Sequence, residues 1–197
     1  MIESVCVFCG SRTGAAPCYE EAARTLGRLL GERERTLIYG GGNVGLMGVL
    51  ADGALIAGAK VIGVIPAALM ERELGHGGVT ELRVVATMHE RKALMADLAD
   101  GFLAMPGGFG TLDELCEILT WAQLGLHAKP VALLNTNGYF DAFLSFLTHS
   151  VEEGFLHPID REMLLVESDP ARLLERLLTA RPGPIRDVST KVNRRVR

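Results

Sequence analysis

Gly101-Phe102-Leu103-Ala104-Met105 is an apolar run of strand length, and Pro106-Gly107-Gly108-Phe109-Gly110-Thr111-Leu112-Asp113-Glu114 follows it directly. Helical spacing then resumes through Leu115, Ile118, Leu119 and Ala122. A strand that turns through glycines into a helix is one unit of an α/β fold, and it carries a ready anion site. Backbone N–H groups of the turn can approach a phosphate closely, and the helix N-terminus favours its negative charge. Three glycines within four residues cost backbone entropy that a turn alone does not demand. Glu114 falls about one turn into the helix, a carboxylate near that phosphate. Thr111 and Glu114 also have the spacing of a capping box, in which both side chains only satisfy helix N–H groups. On the residues alone, both readings of Glu114 stand.

Six more apolar runs have strand length: 5–8, 37–39, 61–65, 82–86, 131–134 and 164–166. Segments of helical spacing separate most of them, at 19–30, 46–57, 93–98, 115–124 and 140–151. The runs are nearly all apolar rather than alternating, as in parallel strands covered on both faces. The pattern predicts an α/β fold: a doubly wound, Rossmann-like, mostly parallel sheet with helices on both faces. Such folds bind ligands outside the carboxyl ends of their strands, so every glycine-rich turn shares one edge.

Two further glycine-rich turns follow the first two strands. They are Cys9-Gly10-Ser11-Arg12-Thr13-Gly14 and Gly40-Gly41-Gly42-Asn43-Val44-Gly45-Leu46-Met47-Gly48. The latter has the look of a dinucleotide fingerprint, but it follows the second strand, and no ribose-binding acid comes after the next one. A nicotinamide-dependent dehydrogenase is therefore disfavoured. No Gly-Lys-Ser/Thr occurs, which excludes a P-loop. Gly10, Ser11, Gly41 and Gly42 are expected at the edge of the site.

Thr87-Met88-His89-Glu90-Arg91-Lys92 opens the helix before strand 102–105, with Thr87 and Glu90 spaced as a capping box. Arg91 and Lys92 thus fall near the positive end of a helix, where an exposed cation is disfavoured by about 0.3–1 kcal/mol. A nearby anion would offset that cost, and both Glu114 and a bound phosphate belong to the same sheet edge. Met88 and His89 are expected at the site's edge too. His89 is either a general acid or a histidine hydrogen-bonded near the cap. Glu73, in Met70-Glu71-Arg72-Glu73-Leu74, is read as part of a long loop with Gly75, Gly77 and Gly78. That loop either closes over a substrate or leaves Glu73 at the surface.

At 197 residues the chain suffices for one well-buried domain, expected over residues 1–180. Apolar content of 48% and charged content of 22% are those of a globular protein. A net charge of -4 offers no case for nucleic-acid binding. From Arg181 to Arg197 six Arg or Lys oppose Asp187 alone, after Pro182, Gly183 and Pro184, and this segment is read as a mobile basic tail. No segment is long and apolar enough to cross a membrane, and Met1-Ile2-Glu3 leads into a strand rather than a signal peptide. Cys6 and Cys9 form a C-x-x-C without a second pair or spaced histidines, so no metal site is expected. Buried structural thiols and a reducing cytoplasm fit better.

These motifs together resemble the LOG ("lonely guy") family, cytokinin riboside 5'-monophosphate phosphoribohydrolases long labelled possible lysine decarboxylases. Residues 106–114 are similar to the family's PGGxGTxxE, and Met88-His89-Glu90-Arg91-Lys92 is similar to its MHxRK. Phe8-Cys9-Gly10-Ser11, residues 40–48 and Leu119-Thr120-Trp121-Ala122-Gln123-Leu124-Gly125 extend the likeness. Phe109 stands where tyrosine is frequent. The resemblance implies hydrolysis of the N-glycosidic bond of an adenine-type nucleoside 5'-monophosphate, a small-molecule partner, to free base and ribose 5-phosphate. It implies that Arg91 and Glu114 are the catalytic pair. It further implies that Glu73, Lys92, Gly107, Gly108, Phe109, Gly110, Thr111, Leu112, Asp113 and Thr120 contact substrate.

Such chemistry suits these residue types. Breaking a ribosyl–base bond builds positive charge on the sugar, which a carboxylate at Glu114 can stabilise, or it can activate water. Arg91 can hold that carboxylate ionised; Glu73 or solvent is left to protonate the base. No cofactor is called for: His89-x-x-Lys92 faintly suggests a pyridoxal phosphate lysine, but nothing marks an acid for the pyridinium nitrogen. A non-catalytic nucleotide or cofactor carrier is the alternative, and it would not require the Arg91/Glu114 pair. The helix bearing Cys116, Ile118, Leu119, Trp121 and Leu124 is apolar on more than one face, which with the resemblance points to a homodimer.

Overall fold

The computed structural model describes residues 1–73 and 75–181, except for the side chains of residues 71–73. Seven strands, β1 (Ser4–Phe8), β2 (Thr36–Tyr39), β3 (Val61–Pro66), β4 (Glu81–Val85), β5 (Gly101–Ala104), β6 (Val131–Leu134) and β7 (Leu164–Glu167), build one sheet. Its order is β4-β3-β2-β1-β5-β6-β7, and every pairing is parallel. β3, β5 and β6 are buried throughout, whereas β4 at the edge is only half-buried and carries Glu81 and Arg83. The basic segment beyond Arg181 lies outside the described residues.

The connecting helices are α1 (Pro17–Glu32), α2 (Gly45–Ile56), α3 (Ala67–Glu73), α4 (Met88–Leu98), α5 (Phe109–Gln123), α6 (Asp141–Glu152), α7 (Pro158–Glu162) and α8 (Pro170–Thr179). α1, α2 and α8 pack Leu26, Leu50 and Leu174 against one face of the sheet. α4 and α5 pack Met95, Leu115 and Ile118 against the other. α3 corrects the expectation of a loop around Glu73: Ala67-Ala68-Leu69-Met70-Glu71-Arg72-Glu73 contains only good helix formers, and the glycines begin after it. α7 and α8 were also absent from the sequence reading, although Pro158 and Pro170 occupy the favoured first position of each helix.

α6 has no buried residue, and Phe146 on it and Phe155 just beyond it are exposed. On α5, Ile118 is buried, Leu119 and Trp121 are half-buried, and Cys116 is exposed. All four cysteines are free, and burial raises the pKa of Cys6 and Cys9 above that of an ordinary thiol. Among the described residues, no helix is long and apolar enough to cross a membrane.

Candidate active site

The chain leaves β1 toward β4 on one side and continues from β5 toward β7 on the other, so the carboxyl ends of β1 and β5 frame a crevice. A cavity of about 570 Å³ occupies it. Its walls are the turn after β1 with Gly10, Ser11 and Arg12, the turn after β5 with Gly107 and Gly108, and the rings of Tyr19 and Tyr139. The two turns are joined, since Gly10 N–H donates to the Pro106 carbonyl at 3.0 Å. A Cβ on Gly107 would stand 2.1 Å from Thr111 Oγ1 and 2.9 Å from Gly10 N, so the protein's own packing requires this glycine.

Gly108 and Gly110 differ, because a Cβ on either would meet nothing within 4 Å. That space lies at the start of α5, whose hydrogen-bond ladder begins with Leu112 N–H on the Gly108 carbonyl at 3.1 Å. The amides before Leu112 are the free donors of a helix start, and an anion there is favoured by the helix dipole. Gly108 is the N-cap, which corrects the capping-box reading of Thr111 and Glu114: the helix starts too early for Thr111 to cap it. Thr111 is instead buried beneath Gly107. Thr87 does cap α4, with Glu90 N–H donating to Thr87 Oγ1 at 3.1 Å, but the Glu90 carboxylate accepts from Ala86 N–H at 2.9 Å, so the reciprocal half of the box falls one residue early.

α4 and α5 share one face of the sheet and bring Arg91 and Glu114 together, with Nη1 to Oε1 at 3.1 Å. The two side chains are only 11% and 8% exposed. Arg91 Nε donates to the Val64 carbonyl of β3 at 3.1 Å. Its Nη2 fills the place where a Cβ on Gly40 would come within 2.0 Å. Glu114 lies three residues beyond Thr111 on the same buried side of α5, one turn behind the cradle. Burial pushes its carboxyl up to about 7, against the pull of Arg91. A carboxyl held there changes charge near neutrality, as acid–base work requires. Neither Arg91 nor Glu114 lines the switch-point cavity.

The other expected site residues divide. Gly10, Ser11, Gly107, Gly108 and Phe109 line the cavity, and Phe109 is 94% exposed at its rim. Lys92 holds two carboxylates of α5, Asp113 at 3.0 Å and Glu117 at 3.1 Å, and so clasps α4 to α5 beside the buried pair. Leu112 is half-buried against the core. Thr120 is exposed, with its hydroxyl on the Cys116 carbonyl at 2.7 Å, about 14 Å along the helix from Thr111 at the usual rise. Gly41 and Gly42 are buried and engaged by the segment after α3: Gly41 accepts from His76 N–H at 3.0 Å, and Gly42 bridges to Gly75. Met88 and His89 are exposed on the first turn of α4. Glu73 ends α3, and its side chain lies outside the described residues. Among the described residues, no cluster of His, Cys, Asp or Glu is suited to a metal ion.

The sequence reading missed Tyr139. It follows β6 on a turn spanning Thr136–Gly138, and donates from its hydroxyl to the Gly107 carbonyl at 2.6 Å. Asn137-Gly138 at the carboxyl end of an apolar run was the available signal, because that end faces the same edge as the glycine turns.

A family model described as possible lysine decarboxylase matches residues 47–177. A cytokinin riboside 5'-monophosphate phosphoribohydrolase of Arabidopsis thaliana is 49% identical over 173 residues, 88% of this chain and 80% of the relative. Another, of Oryza sativa subsp. japonica, is 51% identical over 170 residues, 86% of this chain and 70% of the relative. The chain belongs to the LOG family. Among solved structures, it is similar to the molybdenum cofactor binding protein of Rippkaea orientalis, with a TM-score of 0.69 and 24% identity over 91% of this chain and 97% of that one. Identity that low concerns the fold alone. Of the LOG motifs quoted from the sequence, three meet on one sheet edge: residues 106–114 build the cradle, residue 91 and residue 114 the buried pair, and residue 40 the socket of that pair, whereas residues 119–125 lie at the far end of α5.

Proposed function

We propose that this chain hydrolyses the N-glycosidic bond of adenine-type nucleoside 5'-monophosphates, cytokinin riboside 5'-monophosphate and AMP among them, to free base and ribose 5-phosphate. The observation that carries the reading is the buried Arg91–Glu114 pair, 3.1 Å apart, one helical turn behind an amide-lined bend. In this reading the 5'-phosphate sits on the free amides of residues 107–111, in the space left open at Gly108 and Gly110. Holding that remote group positions the sugar for reaction.

As the glycosidic bond breaks, positive charge develops on the sugar. Ionised Glu114 opposes that charge in a setting with little water, where the interaction is strongest, or it activates the attacking water. A guanidinium does not give up its proton in a protein, so Arg91 favours the ionised form of Glu114 against the larger pull of burial and is not the donor to the leaving base. Lys92, through Asp113 and Glu117, keeps α4 and α5 in register behind the pair. Two relatives about half identical over most of their length carry hydrolase names, which favours turnover over the carrier alternative.

The same reading includes a cytoplasmic homodimer. Four free cysteines and the half-covered apolar side chains of α5 and α6 support it. A compact monomer in light scattering would remove the dimer. For the activity, nucleoside 5'-monophosphates with plain and prenylated adenine are incubated with the protein and the released base is separated by liquid chromatography. Base and ribose 5-phosphate in equal amounts are expected. Nucleotides bound but never cleaved would return the chain to the carrier class.

A further inference from the structure

One peptide plane, between Gly107 and Gly108, supplies the first amide of the cradle. Gly107 and Gly108 are joined by a bond that has no side chain on either side, and Gly108 faces open space. Such a plane can turn either its carbonyl or its amide toward a ligand, and only the amide suits a phosphate. In a trans peptide the C=O and N–H point in opposite directions, and the described residues contain no cis bond. Whatever engages the Gly107 carbonyl therefore decides where the Gly108 amide points.

Tyr139 engages it, with a hydroxyl-to-carbonyl distance of 2.6 Å. The phenol is itself held in place. Its ring meets Tyr19 edge-on at 5.7 Å and Phe140 edge-on at 4.9 Å. The turn beneath it is cross-braced by Asn135, whose Oδ1 accepts from Phe140 N–H at 2.8 Å and whose Nδ2 donates to Asp141 Oδ1 at 2.7 Å. Asn137 adopts a left-handed φ of 53° within that turn, a conformation asparagine tolerates better than most residues. A strained and braced turn that delivers one hydroxyl to one carbonyl is costly for an exposed surface loop.

We propose that Tyr139 is a positioning residue for the phosphate cradle: it occupies the Gly107 carbonyl and so commits the Gly108 amide to the 5'-phosphate. The inference rests on the hydrolase reading only for the identity of the ligand. It assigns Tyr139 no contact with the reacting atoms. Its effect belongs to binding of the phosphorylated end, not to bond cleavage.

The test is Tyr139→Phe, which keeps the ring and its edge contacts and removes the hydroxyl. Water can take over the half-buried Gly107 carbonyl, so the melting temperature stays close to that of the unaltered protein. Calorimetric titration with ribose 5-phosphate and, separately, with adenosine reads the two ends of the ligand. Affinity for ribose 5-phosphate falls about fivefold, the worth of one neutral hydrogen bond, and affinity for adenosine does not change. In turnover, KM for the nucleotide rises by the same factor and kcat holds. Equal loss for both ligands, no loss for either, or failure of the unaltered protein to bind ribose 5-phosphate overturns the proposal. Because this titration needs no catalysis, a protein that binds ribose 5-phosphate through Tyr139 but releases no base would sink the hydrolase reading and leave this one standing.

Discussion

Gly40-Gly41-Gly42 and Gly107-Gly108-Phe109-Gly110 look alike along the chain, yet the fold employs them in opposite ways. Each follows a buried strand, and each leads toward a helix on the same sheet edge. At the first, protein fills the space: the Arg91 guanidinium sits where a Gly40 side chain would be, and the segment after α3 covers Gly41 and Gly42. At the second, Gly107 is packed against Thr111 and Gly10, but Gly108 and Gly110 face nothing. A count of glycines therefore does not tell a socket from a cradle. What tells them apart is whether an added methyl would strike protein or empty space.

The largest effect should come from what the socket holds. Glu114→Gln or Arg91→Ala lowers base release about a thousandfold, within the range for loss of acid–base or electrostatic help. Nucleotide affinity in calorimetry stays within about threefold, because the cradle amides remain and affinity follows them. Turnover close to that of the unaltered protein in either variant would strip the pair of its catalytic part.

Next comes the direct contrast of the two turns. Gly40→Ala drives a methyl into the guanidinium, so the chain loses about 1–3 kcal/mol of stability as an overpacked site and most of its turnover. Gly108→Ala meets no protein atom, so the melting temperature holds while KM for the nucleotide rises. If the two variants lose stability equally, the distinction between socket and cradle fails.

The smallest and most discriminating effect is in the pH profile. Burial raises the Glu114 carboxyl to about 7, so its ionised fraction falls as pH drops through that value. If the ionised form works, kcat/KM rises with pH to a plateau above about 7, and Glu114→Gln abolishes that limb. A profile that falls through the same region would instead make Glu114 the acid that protonates the base.

Much of this is legible in the sequence. Apolar runs without alternation gave the parallel sheet, and strand–glycine–helix order gave the edge where ligands bind. The approach of Arg91 to Glu114 was readable because a cation near a helix N-terminus needs an anion. Less legible was anything that depends on which way a helix is rotated. Thr111 lies buried under Gly107 rather than capping α5, because the helix begins at Phe109. Lys92 turns to Asp113 and Glu117, and Thr120 lies some three turns from the cradle. Glu114 also sits deeper than expected, a turn behind the cradle and outside the cavity lining.

Sequence by itself determined the strand–helix alternation, the positions of the glycine turns on one edge, and the residue types brought to that edge. Those follow from local periodicity and from the backbone freedom of glycine, both carried by neighbouring residues. Tertiary structure alone decided which glycine turn is occupied, which carboxylate is desolvated, and which hydroxyl reaches Gly107 from 32 residues away. Occupancy and desolvation depend on atoms that come together only when the sheet is assembled, and no local pattern encodes them.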